Sequence, residues 1–288
     1  MKRVFTLLLL VIFIHSFSQE TDTMKMYSYQ EKDTTSIVAK NSIGRQLVVD
    51  GKQIIDNLAH SYTRPFSWRK DNWIDVGGVV LGTVLVYSID NDTSKYFIEQ
   101  REKVPSFVRK FGDYFGGPQN NYGITSAVYL TGLFTKNEKI RNTGVLMISS
   151  ATTAGLIQTL SKTLVGRARP GAGKGKFSFK PFSGEPNYRS FPSGHTVLVS
   201  TTMFSLAKQF SNPWIKAGIY TVGIITPLSR VWDGAHFFSD VFLSTVLSYF
   251  IVDGTYRYMQ KNDQRKKERK ISWRLNASPN MLGLNGTF

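Results

Sequence analysis

The 288-residue chain contains no cysteine. That excludes a disulfide framework, a thiolate metal site and a cysteine nucleophile. It does not decide the compartment, because exported proteins need not carry disulfides. Acidic residues are also scarce: 20 Asp and Glu stand against 36 Lys and Arg, a formal net charge of +16. Such a balance attracts polyanions, whether nucleic acid, anionic lipid or phosphorylated small molecules. Much of the excess lies at residues 261–270 (KNDQRKKERK), outside any apolar run. Long apolar runs are missing as well. Mean hydropathy is −0.18, and the apolar segments of the chain run to about 14–19 residues, short of the roughly 20 that a bilayer span requires. Hydrophobic residues nevertheless make up 41% against 19% charged, which excludes a disordered chain.

The N-terminus has the layout of a secretory signal: Lys2 and Arg3, an apolar stretch over 4–14, then Ser16 and Ser18 before a cut ahead of Gln19. This predicts a signal peptide over 1–18, with an uncleaved anchor as the alternative. An exported, periplasm-facing location follows. Residues 19–72 are polar and mixed, with one helix-like stretch around 42–60 and an isolated His60 read as a packing or surface residue. From about Trp73 six apolar segments follow, at 74–89, 122–135, 143–161, 196–210, 214–228 and 237–252. They are too long for ordinary strands and suit helices. Polar or Gly/Pro-rich stretches, 91–121 among them, read as the connections. The expected fold class is all-α, a bundle of about six apolar helices over 73–257. Residues 258–288 form a basic segment and a tail whose alternation at 271–275 and Gly/Asn-rich end suggest a short hairpin. The terminal Phe288 resembles the last strand of outer-membrane barrels, but one hairpin cannot close a barrel.

Three motifs carry chemistry. The first runs from Lys162 to Arg169-Pro170. Seven residues are about two helical turns, so both cations can leave one helix end on the same side. Pro170 disfavours helix at Arg169, and an Arg fork suits phosphate-like oxygens. The second is Pro192-Ser193-Gly194-His195 at the start of an apolar segment. Free backbone N–H groups and the positive end of a helix dipole favour an oxyanion there, and Gly194 permits close approach. The third is Ser229-Arg230 followed by His236 and Asp240. Four residues apart, His236 and Asp240 would share a helix face. A carboxylate beside an imidazole holds its tautomer and supports its nucleophilicity. Asp233 reads as local turn chemistry. Each motif alone has a bland reading, as a basic helix end, a Ser N-cap or a surface His–Asp pair. Together they fall at the end of the third segment, the start of the fourth and the end of the fifth, which an up-and-down bundle brings to one end.

The combination K-x6-R-P, P-S-G-H and S-R-x5-H-x3-D resembles the type 2 phosphatidic acid phosphatase superfamily at every fixed position, over roughly residues 73–257. The resemblance implies an all-α fold and hydrolysis of a phosphate ester through a phosphohistidine. It implies that His236 attacks phosphorus, Asp240 orients His236, and His195 protonates the leaving oxygen and then activates water. It implies that Lys162, Arg169, Ser193, Gly194 and Arg230 hold the phosphate, and that neither a metal nor another cofactor is needed. The partner expected is a phosphorylated lipid or a small phosphoester, not nucleic acid. The superfamily holds six-span lipid phosphatases, soluble exported acid phosphatases and vanadate-dependent haloperoxidases. Basic connections flanking the segments favour membrane association. Short, Ser/Thr-rich segments and low hydropathy favour a bundle that is not embedded. A soluble acid phosphatase, a haloperoxidase and a non-catalytic anion-binding envelope protein are the alternatives to a lipid phosphatase.

Overall fold

The computed structural model describes residues 42–270 and two strands beyond them, with side chains placed through residue 265. The expected signal at 1–18, and the polar stretch as far as residue 41, lie outside the described residues.

All six apolar segments are helical, and the fold is an α-helical bundle. Helix α1 is Ile43–Thr63, started by the Ser42 side chain, which accepts from the Arg45 N–H. Then come α2 (Lys70–Ser88), α3 (Asp90–Gln100), α4 (Ser106–Gly116), α5 (Pro118–Phe134), α6 (Glu138–Val165) and α7 (Gly194–Ala207). They are followed by α8 (Pro213–Gly223), α9 (Ile225–Trp232) and α10 (Phe238–Lys270). The tail forms an antiparallel hairpin of β1 (Ser272–Ser278) and β2 (Met281–Thr287), with Leu275 opposite Leu284.

Two differences from the expected layout matter for the site. The stretch 91–121 is not a long turn but holds α3 and α4. Their polar residues hid them from a search for apolar runs, although α4 is amphipathic. The fifth apolar segment is two helices, α8 and α9, broken at Ile224. Helix α6 is the spine: α5, α7, α1 and α10 all pack on it. The core at the middle of the bundle joins Tyr129, Leu133, Leu146, Met203, Phe204 and Val252. Helix α1 docks through polar contacts as well, with Asn57 Nδ2 donating to Ser149 Oγ at 3.0 Å. His60 stacks on Tyr258 with ring centroids 3.9 Å apart, a packing role.

Apolar side chains also face outward in stripes. On α2 they include Ile74, Leu81 and Leu85, on α6 Leu156, Leu160 and Leu164, and on α8 Trp214 and Val222. Among the described residues no single helix is long and apolar enough to cross a membrane. Taken together, α2 and the following segment Asp90–Lys103 reach that length and composition, with a bend of 62° at the break.

Candidate active site

The first motif begins inside α6 and leaves it. Lys162 lies in the last turn, and Gly166 ends the helix with φ +55°. A Cβ there would stand 1.9 Å from the Lys180 carbonyl oxygen, so only glycine fits. Beyond it the chain is extended. The Arg167 carbonyl accepts from Ser190 N–H at 3.0 Å, and Arg169 N–H donates to Asn187 O at 2.8 Å. Lys162 and Arg169 therefore do not share a helix face. They converge because the chain turns at Gly166.

Backbone contacts then tie the three motifs together. Gly171 N–H donates to Gly234 O at 2.9 Å, joining the Arg169-Pro170 loop to the loop that carries His236. Ser193 N–H donates to Ser244 Oγ at 2.9 Å, and Ser244 Oγ donates to Asp240 O at 2.7 Å. The second motif is thereby pinned to α10. Ser193 is the N-cap of α7, and its hydroxyl accepts from Thr196 Oγ1 at 2.9 Å instead of capping the helix. The first N–H groups of α7, Gly194 included, carry the positive end of the helix dipole.

His236 is 3% exposed and lies in the turn before α10, not on the helix. This corrects the expected His236–Asp240 pairing across one helix face. The Nδ1 of His236 meets the Ser190 carbonyl oxygen, so Nδ1 carries the proton and Nε2 the free lone pair. The Asp240 carboxylate accepts from Arg167 Nη1 at 2.6 Å, Ser190 Oγ at 2.5 Å and Phe237 N–H at 2.9 Å. Asp240 thus touches His236 only through Ser190 and the backbone of Phe237.

The cations and the two imidazoles lie close enough to act on one another's charge. Burial first, then Lys162 and Arg169, hold the His236 pKa well below its ordinary value. His195 is lowered by burial and Arg230, with Lys162 and Arg169 adding to this and Asp113 opposing it. Lys162 is pushed down to about 8 by burial and by Arg169 and Arg189. Arg169 is lowered by burial, Arg230 and Arg189. Among the described residues neither Lys162 Nζ nor the Arg169 side chain has an acidic partner, and Arg169 Nε is buried without any. Cations crowded closely enough to lower one another's pKa make a receptor for a multiply charged anion.

Several residues of the site carried no signal in the motifs. Arg230 Nη1 pairs with Asp113 of α4 at 2.8 Å, and the same Asp113 oxygen lies 3.3 Å from His195 Nε2. Arg230 Nη2 also reaches Asp233 at 2.9 Å, so Asp233 steadies a cation of the site and does more than shape a turn. Asp233 in turn accepts from Arg101 Nε at 3.1 Å. Arg189, Ser190, Arg167 and Asp90 complete the surroundings. A hint to α4 was legible in the spacing of Gly112 and Gly116. Nothing in the sequence pointed to Asp90.

Known proteins resemble this chain in sequence and fold. The sequence profile of the PAP2 superfamily matches residues 143–264. The lipid A 1-phosphatases of Rhizobium etli and Rhizobium johnstonii are each 37% identical over 100 residues, or 34% of this chain. The matched stretch spans only 42% and 40% of those relatives' own length. A transmembrane PAP2-type phosphatidylglycerolphosphate phosphatase from Bacillus subtilis shares the fold. It superposes with a TM-score of 0.50 at 20% identity, over 64% of this chain and 95% of that one. Residues 143–264, the stretch that matches the PAP2 superfamily profile, contain all three motifs, from Lys162 to Asp240.

Proposed function

We propose that the protein is a phosphatase that hydrolyses a phosphate monoester or pyrophosphate of a lipid, through a phosphohistidine at His236. In the first step the Nε2 lone pair bonds to phosphorus and the P–O bond to the leaving group breaks. His195 gives its proton to the departing oxygen. In the second step His195 takes a proton from water, the hydroxide attacks phosphorus, and the P–N bond breaks to release phosphate. Lys162, Arg169 and Arg230, with Ser193 and the Gly194 N–H, hold the non-bridging oxygens. Phosphoryl transfer needs mainly such positioning and charge neutralisation.

The observation that carries this reading is the set of three cations, Lys162, Arg169 and Arg230, acting on two imidazoles. Burial and those cations keep both rings below the ordinary histidine value, so His236 is neutral and nucleophilic at neutral pH. An arriving phosphate dianion raises the pKa of His195 and readies it as the acid. A lipid substrate is favoured by the names of the relatives and by the outward apolar stripes of α2, α6 and α8, which also support membrane association.

The test is phosphate release from a panel of lipid A, phosphatidylglycerophosphate, phosphatidate, polyprenyl pyrophosphate and soluble esters, with separate membrane and soluble fractions. Turnover of phosphorylated lipids in the membrane fraction is expected, together with acid-labile, base-stable phosphate on the protein. Purified His236→Ala protein with full turnover would remove His236 as nucleophile. Activity confined to soluble esters would remove the lipid.

A further inference from the structure

Behind His236 stands a buried chain of polar groups that the reaction steps do not use. Arg167 is 1% exposed, and Asp90 and Asp240 are fully buried. Arg167 Nη1 donates to Asp240 Oδ1 at 2.6 Å and Nη2 to Asp90 Oδ2 at 2.8 Å. Its guanidinium is sandwiched between the rings of Tyr87 and Phe237, at 4.7 and 4.1 Å from their centroids. Asp90 also accepts from the Ser239 N–H at 2.9 Å and from the Ser239 hydroxyl. Asp240 accepts from Ser190 Oγ, and the carbonyl of that same Ser190 takes His236 Nδ1.

We propose that Asp90 and Arg167 are positioning residues for His236, acting through Asp240 and Ser190 to fix its ring tautomer and the direction of Nε2. This rests on the reading of His236 as nucleophile. The two carboxylates hold the chain segments on which the imidazole rests. Asp240 accepts from the Ser190 hydroxyl and so holds the residue whose carbonyl meets Nδ1. Asp240 and Asp90 also bind the N–H groups of Phe237 and Ser239, the backbone that immediately follows His236. With the Nδ1 proton committed to the Ser190 carbonyl, the lone pair is on Nε2. Two carboxylates against one guanidinium leave a net negative charge, which favours the positive charge that develops on the ring as Nε2 bonds to phosphorus.

A purely structural explanation accounts for less. A buried ion network is often no more stable than an apolar packing of equal volume. Here the network spans three separate elements, α3, the segment after α6 and the start of α10, and it ends on the reacting imidazole. Asp90 lies outside residues 143–264, at the bend between α2 and α3, so the family motifs do not include it. Arg suits its place because it alone offers a planar fork to two carboxylates while stacking on rings.

The experiment uses the full chain and three variants: Asp90→Asn, Arg167→Lys and Ser190→Ala. Three quantities are read: the melting temperature, kcat and KM for the best substrate of the panel, and the ring nitrogen NMR signals of His236. The chain has four histidines, so single substitutions assign them. Expected for Asp90→Asn is a kcat loss of about a hundredfold, the scale of a misplaced reacting group, with KM within about twofold and a mixed tautomer at His236. Arg167→Lys does not restore function, since an ammonium cannot bridge both carboxylates in that geometry. Where Asp90→Asn fails to fold, Ser190→Ala carries the test. It removes one hydroxyl and keeps the carbonyl, and is expected to lower kcat about tenfold with the same change in the ring signals. Folded variants with kcat and the His236 tautomer unchanged overturn the proposal. His236→Ala separates the two readings. Turnover kept in that variant defeats the nucleophile. Turnover lost there, beside unaltered Asp90→Asn and Ser190→Ala proteins, defeats the positioning chain alone.

Discussion

Among single residues, Lys162 has the most to gain from an anion. Its folded pKa is lowered from 10.5 to about 8, by burial and by Arg169 and Arg189. A depressed lysine destabilises the native state while it is charged. That cost is fully present below about pH 8 and is relieved as pH rises from there toward 10.5. A bound phosphate-like anion removes the same cost. Orthovanadate should therefore raise the melting temperature strongly at pH 7 and much less at pH 10, and Lys162→Met should respond to it much less than the parent while melting no lower than the parent at pH 7. Differential scanning calorimetry across pH checks both. The two histidines should separate by leaving group. His236→Ala should lose turnover of every ester. His195→Ala should retain phosphoenzyme formation from nitrophenyl phosphate far better than from an alkyl ester, because a good leaving group needs no proton. Rapid-quench trapping measures the difference.

At the scale of elements, α4 owes its place to two glycines four residues apart. A Cβ at Gly112 would meet Ser229 Oγ at 2.6 Å and the Ile225 carbonyl at 2.9 Å. At Gly116 it would meet Thr226 Cγ2 at 2.5 Å and His195 Cβ at 2.8 Å. Without side chains there, α4 lies directly on α9 and the start of α7 and delivers Asp113 to Arg230 and His195. Gly116→Val should push the helix away, costing on the order of 1–3 kcal/mol of stability by overpacking and most of the activity. Gly123→Ala in α5, where an added Cβ meets nothing within 4 Å, should leave activity intact and raise stability by up to about 1 kcal/mol. Chemical denaturation and turnover of the pair give the contrast. The bend between α2 and α3 has a parallel role, since it sets Asp90 at the head of α3 and within reach of α10.

At the scale of the whole molecule, the helices bury the polar candidate site and turn apolar stripes outward. Association with lipid should then depend on those stripes. Replacing Leu81, Leu85 and Trp214 together with Gln should shift the protein from liposomes to the supernatant in flotation assays, with hydrolysis of a soluble ester unchanged. Sequence alone determined the helical class, from segments too long for strands, and it named Lys162, Arg169, His195, Arg230 and His236 as candidates from three motifs whose residues the bundle brings within reach of one another. The His236–Asp240 contact was misread, since spacing i, i+4 implies a shared face only if both residues are helical, and α10 begins at Phe238. Asp90, Asp113 and Ser190 became visible only in three dimensions. Their partners stand 149, 82 and 46 positions away in the chain, at Ser239, His195 and His236. A hydrogen bond between such distant residues leaves no periodicity to read. It exists because packing of the bundle, through a left-handed Gly166 and close-approaching Gly112 and Gly116, brings those side chains together.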